Sequence, residues 1–113
     1  MNIKQKIIFE NKIAEIKRRI SDLGNVRSGS ISTQYNVCGK PNCACKDKEN
    51  PKKHGPYYQL SYYNDKSRHT TSFVKRENVS VIQEEVENNK TLKVLIKELV
   101  KISTEFSNLK ISS

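Results

Sequence analysis

Apolar residues recur every three or four positions at both ends of the chain and every second position in its middle, and this change of period divides it into segments. Near the amino terminus Phe9, Ile13, Ile16, Ile20 and Leu23 step by four, three, four and three, with Ile3, Ile7 and Ile8 widening the apolar side. That spacing predicts an amphipathic helix over 1–24, stopped at Gly24-Asn25, with the glycine expected in the left-handed position past a helix end. In the middle, Ile31, Thr33, Tyr35 and Val37 alternate with polar residues and predict a strand over 31–37. Tyr57 to Tyr63 predicts a second strand, Asn64 to Ser67 a turn, and Arg68 to Val74 a third strand. Beyond Val79 the helical period returns. Val79, Ile82 and Val86 form one stripe, and Leu92, Leu95, Leu99, Ile102, Phe106 and Leu109 form another with a shifted phase.

These elements imply an α+β fold: a small three-stranded antiparallel sheet flanked by an amino-terminal helix (1–24) and a long carboxyl-terminal helix (77–113), with the sheet in 28–76. The first stripe of the long helix is expected to cover the sheet. The second is a coiled-coil-like seam, to be matched by the amino-terminal helix of the same chain or of a second one. Asn88-Asn89 is the expected weak point. On the second strand Tyr58, Leu60 and Tyr62 share one face, and the more polar set Tyr57, Gln59, Ser61 and Tyr63 is expected outward. With Phe73 assigned to the core, Arg68, Thr70 and Ser72 fall outside beside Gln59.

Composition sharpens this picture. Of 113 residues only 35% are hydrophobic and none is tryptophan, so the sheet segment has too little apolar surface to stand alone. A metal staple or oligomerisation is therefore expected, and two heptad seams on so small a core favour a homodimer through the terminal helices. No apolar run is long enough to span a membrane, and no apolar leader is present at the amino end. With an odd number of cysteines, the expectation is a cytoplasmic protein without a disulfide framework.

All three cysteines lie within eight residues, Cys38-Gly-Lys-Pro-Asn-Cys43-Ala-Cys45, and His54 follows the last by nine positions. Thiolates are strong, soft ligands, and three with one imidazole complete a tetrahedron. Gly39, Pro41 and Gly55 allow the sharp reversals such convergence needs. The reading is a structural zinc site formed by Cys38, Cys43, Cys45 and His54. Ordinary reduced thiols and a redox pair are the competing readings, but the polar loop offers almost no apolar neighbours to bury free thiols. A closed ligand set of this kind has no open position for catalysis, and no carboxylate lies near in sequence to serve as a base. His69 reads as a strand residue, so the chain is not expected to be an enzyme.

Net charge is +9, and residues 40–76 hold nine basic against three acidic side chains. The surplus thus lies around the cysteines and the following strands, where a polyanion would bind. The leading expectation is a nucleic-acid-binding module, with DNA favoured over RNA. Its surface would join Lys40, Lys46, Lys48, Lys52 and Lys53 of the polar loop to Gln59, Arg68, Thr70 and Ser72 of the sheet. The lysines would neutralise phosphates, while Gln59 and Arg68 could read base edges. Tyr57 and Tyr63 could instead stack on unpaired bases. The alternative, from a different class, is a protein-interaction adaptor or inhibitor acting through its helical seams.

Ser32 to Tyr35, Cys38 to Cys45, His54 to Tyr58 and Leu60 to Tyr62 together resemble the signature of a family of small uncharacterised prokaryotic proteins. That signature is a Ser-x-Gln/Arg-Tyr strand, Cys-Gly-Lys-Pro-x-Cys-x-Cys, His-Gly-Pro-Tyr-Tyr and a Leu-Ser-Tyr strand, and the resemblance covers about residues 28–110. It implies a setting near mobile-element genes, and hence DNA-related work. Relatives tend to carry Lys-Thr-Arg-x-x-Tyr-Val-Pro in the third strand, where this chain has Arg68-His69-Thr70-Thr71-Ser72-Phe73-Val74-Lys75 and one basic position fewer. More loosely, three strands and a following helix are similar to the arm-type DNA-binding domain of tyrosine integrases, which implies a sheet face laid in the major groove.

Overall fold

The computed structural model describes residues 1–50 and 52–112. Its elements run α1 (Ile3–Asp22), β1 (Ser30–Asn36), a 3-10 turn (Ala44–Lys46), β2 (His54–Tyr63), β3 (His69–Val74), a second 3-10 turn (Arg76–Asn78) and α2 (Val79–Ile111). The sheet is antiparallel with strand order β1-β2-β3, which makes the α+β arrangement expected from the periodicity. No helix among the described residues is long and apolar enough to cross a membrane. The chain forms two compact units, one from residues 28–86 and one from residues 1–27 with 87–113.

In the sheet unit, Leu60, Val74 and Val86 are buried, with Ile31, Tyr58, Tyr62, Val79 and Ile82 packed against them. The first turns of α2 thus cover one face of the sheet, as the Val79-Ile82-Val86 stripe predicts. Burying an aliphatic side chain of this kind contributes roughly 1.5–3 kcal/mol. Three such residues make a thin core, and the strands need further restraint.

The register of β3 differs from expectation. Tyr63 pairs with His69, Leu60 with Ser72, and Tyr58 with Val74. The loop between the strands therefore holds five residues, Asn64 to Arg68, where a four-residue turn was expected. Asn64 causes this. Its side-chain oxygen accepts the backbone N–H groups of Lys66 (3.0 Å) and Arg68 (3.1 Å), and its own N–H donates to the Arg68 carbonyl at 3.0 Å. Ser67 takes the left-handed conformation that closes the loop (φ 58°). Because side chains alternate, one extra loop residue exchanges the two faces of the strand. Val74 enters the core, whereas Phe73, assigned there from its size, is 77% exposed opposite Gln59. Thr70 and Ser72 pair with Tyr62 and Leu60 and so lie on the covered side, not beside Gln59.

In the helical unit, α1 opens with a capping box: the Asn2 side chain accepts the Gln5 N–H at 2.8 Å, and the Gln5 side chain accepts the Asn2 N–H at 3.2 Å. The helix closes at Leu23, whose backbone is extended, so Gly24 is not the left-handed cap expected of it. A Cβ at Gly24 would instead meet the Asn88 side-chain nitrogen at 3.2 Å. That nitrogen donates to the Asn25 carbonyl at 2.9 Å, and α2 continues unbroken through Asn88-Asn89. At the other end the Phe9 and Phe106 rings stack, 5.3 Å apart and 5° from parallel, with the Lys110 ammonium 4.1 Å from the Phe106 centroid. The pairing of 9 with 106 and of 24 with 88 makes the two helices antiparallel. The seam is filled within one chain: Ile16, Leu95 and Phe106 are buried.

The exchanged face has a direct test. Leu60→Ala is expected to cost about 2–5 kcal/mol in chemical denaturation. Phe73→Ala should stay within about 0.5 kcal/mol, as for an ordinary surface change.

Candidate metal centre and the adjoining sheet face

The side chains of Cys38, Cys43, Cys45 and His54 converge, with one ligand atom from each lying within 4.8 Å of all the others. Local structure explains the convergence. β1 delivers Cys38 two residues past its end, and a turn over Lys40 to Cys43 closes through a Cys43 N–H bond to the Lys40 carbonyl at 3.3 Å. The 3-10 turn at Ala44–Lys46 then brings Cys45 back beneath Cys38. Its geometry is held by Lys46 N–H donating to Cys43 O (3.0 Å) and Asp47 N–H to Ala44 O (3.2 Å). The Lys52 N–H returns to the Ala44 carbonyl at 3.0 Å, which carries the chain to His54 at the head of β2. Pro51, within the polar stretch between Lys46 and Lys53, lies outside the described residues.

Distances within the cluster suit a tetrahedral ion. Metal–thiolate bonds of about 2.3 Å at tetrahedral angles put two sulfurs about 3.8 Å apart, and sulfur and imidazole nitrogen about 3.6 Å apart. The Cys38 and Cys45 sulfurs are 3.6 Å apart, and the Cys43 sulfur is 3.1 Å from His54 Nε2. The three cysteines are free, and Cys45 is 1% exposed. The Cys38 N–H donates to the Cys45 sulfur at 3.3 Å, a contact that stabilises a thiolate. Hydrogen bonds from the Cys45 backbone, and then from the Cys45 and Cys38 side chains, hold the Cys43 thiol below its ordinary range. For Cys45 the Cys38 amide pulls downward, yet burial and the crowding of the Cys43 and Cys38 sulfurs leave it raised. Three sulfurs gathered around one point beside an imidazole nitrogen are the surroundings a cation would fill.

Gly55 and Pro56 orient the histidine. Gln34 pairs with Tyr57 and Asn36 with His54, so β2 carries one residue more than β1 across this step. Such a bulge exchanges the faces beyond it. Simple alternation would align His54 with Tyr58 and Leu60 on the core side; the bulge aligns it with Asn36, Gln34 and Tyr57 instead. Gly55 makes this possible, since its φ is 135° and a Cβ there would fall 2.8 Å from the Gln34 carbonyl oxygen.

The histidine consequently meets the outer face of the sheet. Asn36, Val37, Cys38, His54, Tyr57 and Phe73 line a cleft of about 410 Å³. Farther along that face Tyr63 is 70% exposed, and its ring meets the His69 ring edge-on at 5.7 Å. Gln59 is half-buried on the same face between Ser32 and Phe73.

The expected nucleic-acid residues separate accordingly. Lys40, Lys46, Lys48, Lys52 and Lys53 are all exposed in or beside the ligand loop. Arg68 is exposed but belongs to the β2–β3 loop, and Thr70 and Ser72 lie on the other face; the Thr70 hydroxyl donates to the Arg68 carbonyl at 3.3 Å. The polar set proposed to read base edges is therefore not assembled, apart from Gln59. Sequence reasoning missed Phe73, Asn36 and Val37. An Asn at the head of a β2–β3 loop, able to cap two backbone N–H groups, was the available signal for the first.

A family model described as Domain of unknown function (DUF6788) matches residues 9–87, and the chain belongs to that family. No curated protein and no solved structure matches the chain.

Replacing Cys45 by Ser is expected to abolish stoichiometric metal and lower the melting temperature, read by elemental analysis and thermal denaturation. A chelator should lower the melting temperature of the native chain similarly. Gly55→Ala is expected to cost roughly 1–3 kcal/mol from backbone strain and to weaken metal retention with it.

Proposed function

We propose that this member of the DUF6788 family is a zinc-stapled nucleic-acid-binding module, acting on DNA in an accessory or regulatory role at a mobile element. Zinc is the ion of choice because a sulfur-rich tetrahedral set with one imidazole suits it, and a closed set suits a structural role. The observation that carries the reading is the junction of two surfaces. A loop bearing Lys40, Lys46, Lys48, Lys52 and Lys53, all exposed, is tied by its own cysteines to the edge of a sheet. The face beside it exposes Tyr57, Phe73 and Tyr63 rather than carboxylates. The lysines would supply sequence-blind affinity by counterion release, and the tie would keep them from collapsing away from the sheet. The mobile-element setting rests on the motif resemblance in the sequence alone.

The adaptor reading needs unpaired seams, and here the seam of α2 is packed against α1 through residues such as Phe9 and Phe106. A homodimer through the helices is a proposal on other grounds: Ile3, Ile7, Val94 and Val100 are 49–77% exposed. Light scattering should then give twice the mass of one chain, and Ile7→Lys with Val100→Lys should halve it.

Binding itself is tested by the salt dependence of affinity for a fluorescent DNA strand. The native protein is expected to bind at low salt and to weaken steeply as salt rises. Lys52→Ala with Lys53→Ala should reduce the slope of log affinity against log salt by about 1.4–1.8, while leaving metal content and melting unchanged. Absence of binding to duplex DNA, single strands and RNA at low salt would overturn the reading.

A further inference from the structure

We infer that the cleft between the metal centre and the outer sheet face takes an unpaired nucleobase, so that the polyanion bound here is single-stranded. This rests on the nucleic-acid reading and narrows it to one substrate class.

Two features of the face favour bases over duplex grooves. Phe73 is opposite Gln59, and Tyr57 lies two residues from Gln59 on the same face of β2, which makes the two rings diagonal neighbours across adjacent strands. Both line the cleft, and its volume of about 410 Å³ lies in the range of small-molecule sites. Flat aromatic faces are platforms for bases whose own faces are free, whereas in a duplex those faces are already stacked. Meanwhile the side chains suited to a groove, Thr70 and Ser72, lie on the opposite face.

Recognition chemistry is also at hand in the cleft. Asn36 carries a donor and an acceptor that can meet the edge of a base. Among the described residues lining the cleft none is acidic. Exposed lysines flank its lining residues in sequence, with Lys53 next to His54, Lys40 two residues past Cys38 and Lys75 two past Phe73. They supply the charge complement for the phosphates between bases. Tyr57 and Tyr63 are six residues apart on β2, about 20 Å of strand, which leaves room for several nucleotides between the cleft and the second ring.

The burial pattern agrees with such use. A fully buried phenylalanine would contribute roughly 1.5–3 kcal/mol to folding, yet Phe73 is exposed while the smaller Val74 is buried. Phe73, Tyr57 and Val37, each exposed and all lining one cleft, form a contiguous apolar patch of the kind that marks a binding surface.

The test uses the full metal-loaded chain and fluorescence anisotropy. The probes are oligothymidylate and oligouridylate of about twelve nucleotides, an abasic strand with the same phosphates, and a duplex of equal length. The base-bearing single strands are expected to bind at least about 10-fold tighter than the abasic strand or the duplex, and Phe73→Leu should weaken them about 5- to 100-fold. That variant should leave abasic binding, metal content and melting unchanged, since the side chain is exposed and only its ring is lost. The thymidylate and uridylate arms rank DNA against RNA, and a preference for either supports the inference. Equal affinity for base-bearing, abasic and duplex probes, or no effect of Phe73→Leu, overturns it while leaving a phosphate-binding function standing. Failure to bind any probe overturns both.

Discussion

Convergence of three sulfurs and one imidazole on a single point is the constraint to which the sheet unit owes its shape. Among the described residues of 28–86 the buried ones are Leu60, Val74 and Val86 together with Cys45, and three aliphatic side chains cannot by themselves offset the entropy of ordering three strands and a loop rich in lysine. Cys38 and His54 lie at the two ends of the β1–β2 connection and Cys43 and Cys45 near its middle, so an ion held there would divide the longest polar loop into short turns. Buried Cys45 stands in for the hydrophobic residue the loop lacks. A cation held there would also compensate the crowding of the Cys38 and Cys45 sulfurs, which lie 3.6 Å apart.

Placement of that centre on the outer side of the sheet follows from a single inserted residue. The bulge at Gly55-Pro56 carries His54 from the side of Leu60 to the side of Tyr57, and only a glycine tolerates the backbone there. A second insertion, in the loop begun by Asn64, performs the same operation on β3 and brings Phe73 onto that side. Two local backbone events thus bring His54, an amide and the two cleft rings together on one face, next to a loop crowded with positive charge. Each changes the face of every residue beyond it.

The helical unit obeys simpler rules. Its apolar positions at three- and four-residue spacing meet in an antiparallel pair, closed at one end by stacked Phe9 and Phe106 and at the other by the Asn88 bond to the Asn25 carbonyl. Gly24 permits that second closure by its lack of a side chain rather than by its conformation. Asn88, a poor helix former in isolation, is retained inside α2 because its side chain bonds a carbonyl outside the helix.

Much of this was legible from one chain of letters. Helical period, strand alternation and clustered cysteines are local properties, and each follows from neighbours a few positions away; the α+β order, the covering of the sheet by Val79, Ile82 and Val86, and the gathering of Cys38, Cys43, Cys45 and His54 were all readable that way. Which face a strand turns inward is not local. It depends on whether the loop before it holds four residues or five, and on whether its partner carries a bulge, so Phe73, Thr70 and Ser72 were assigned to the wrong sides by a rule that was otherwise sound. Whether the seam of α2 would meet α1 or another copy was likewise open, because both satisfy the same spacing. Alternation along a strand specifies two faces and leaves their labels free; only hydrogen-bond register, set by Asn64 and Gly55 in three dimensions, attaches them.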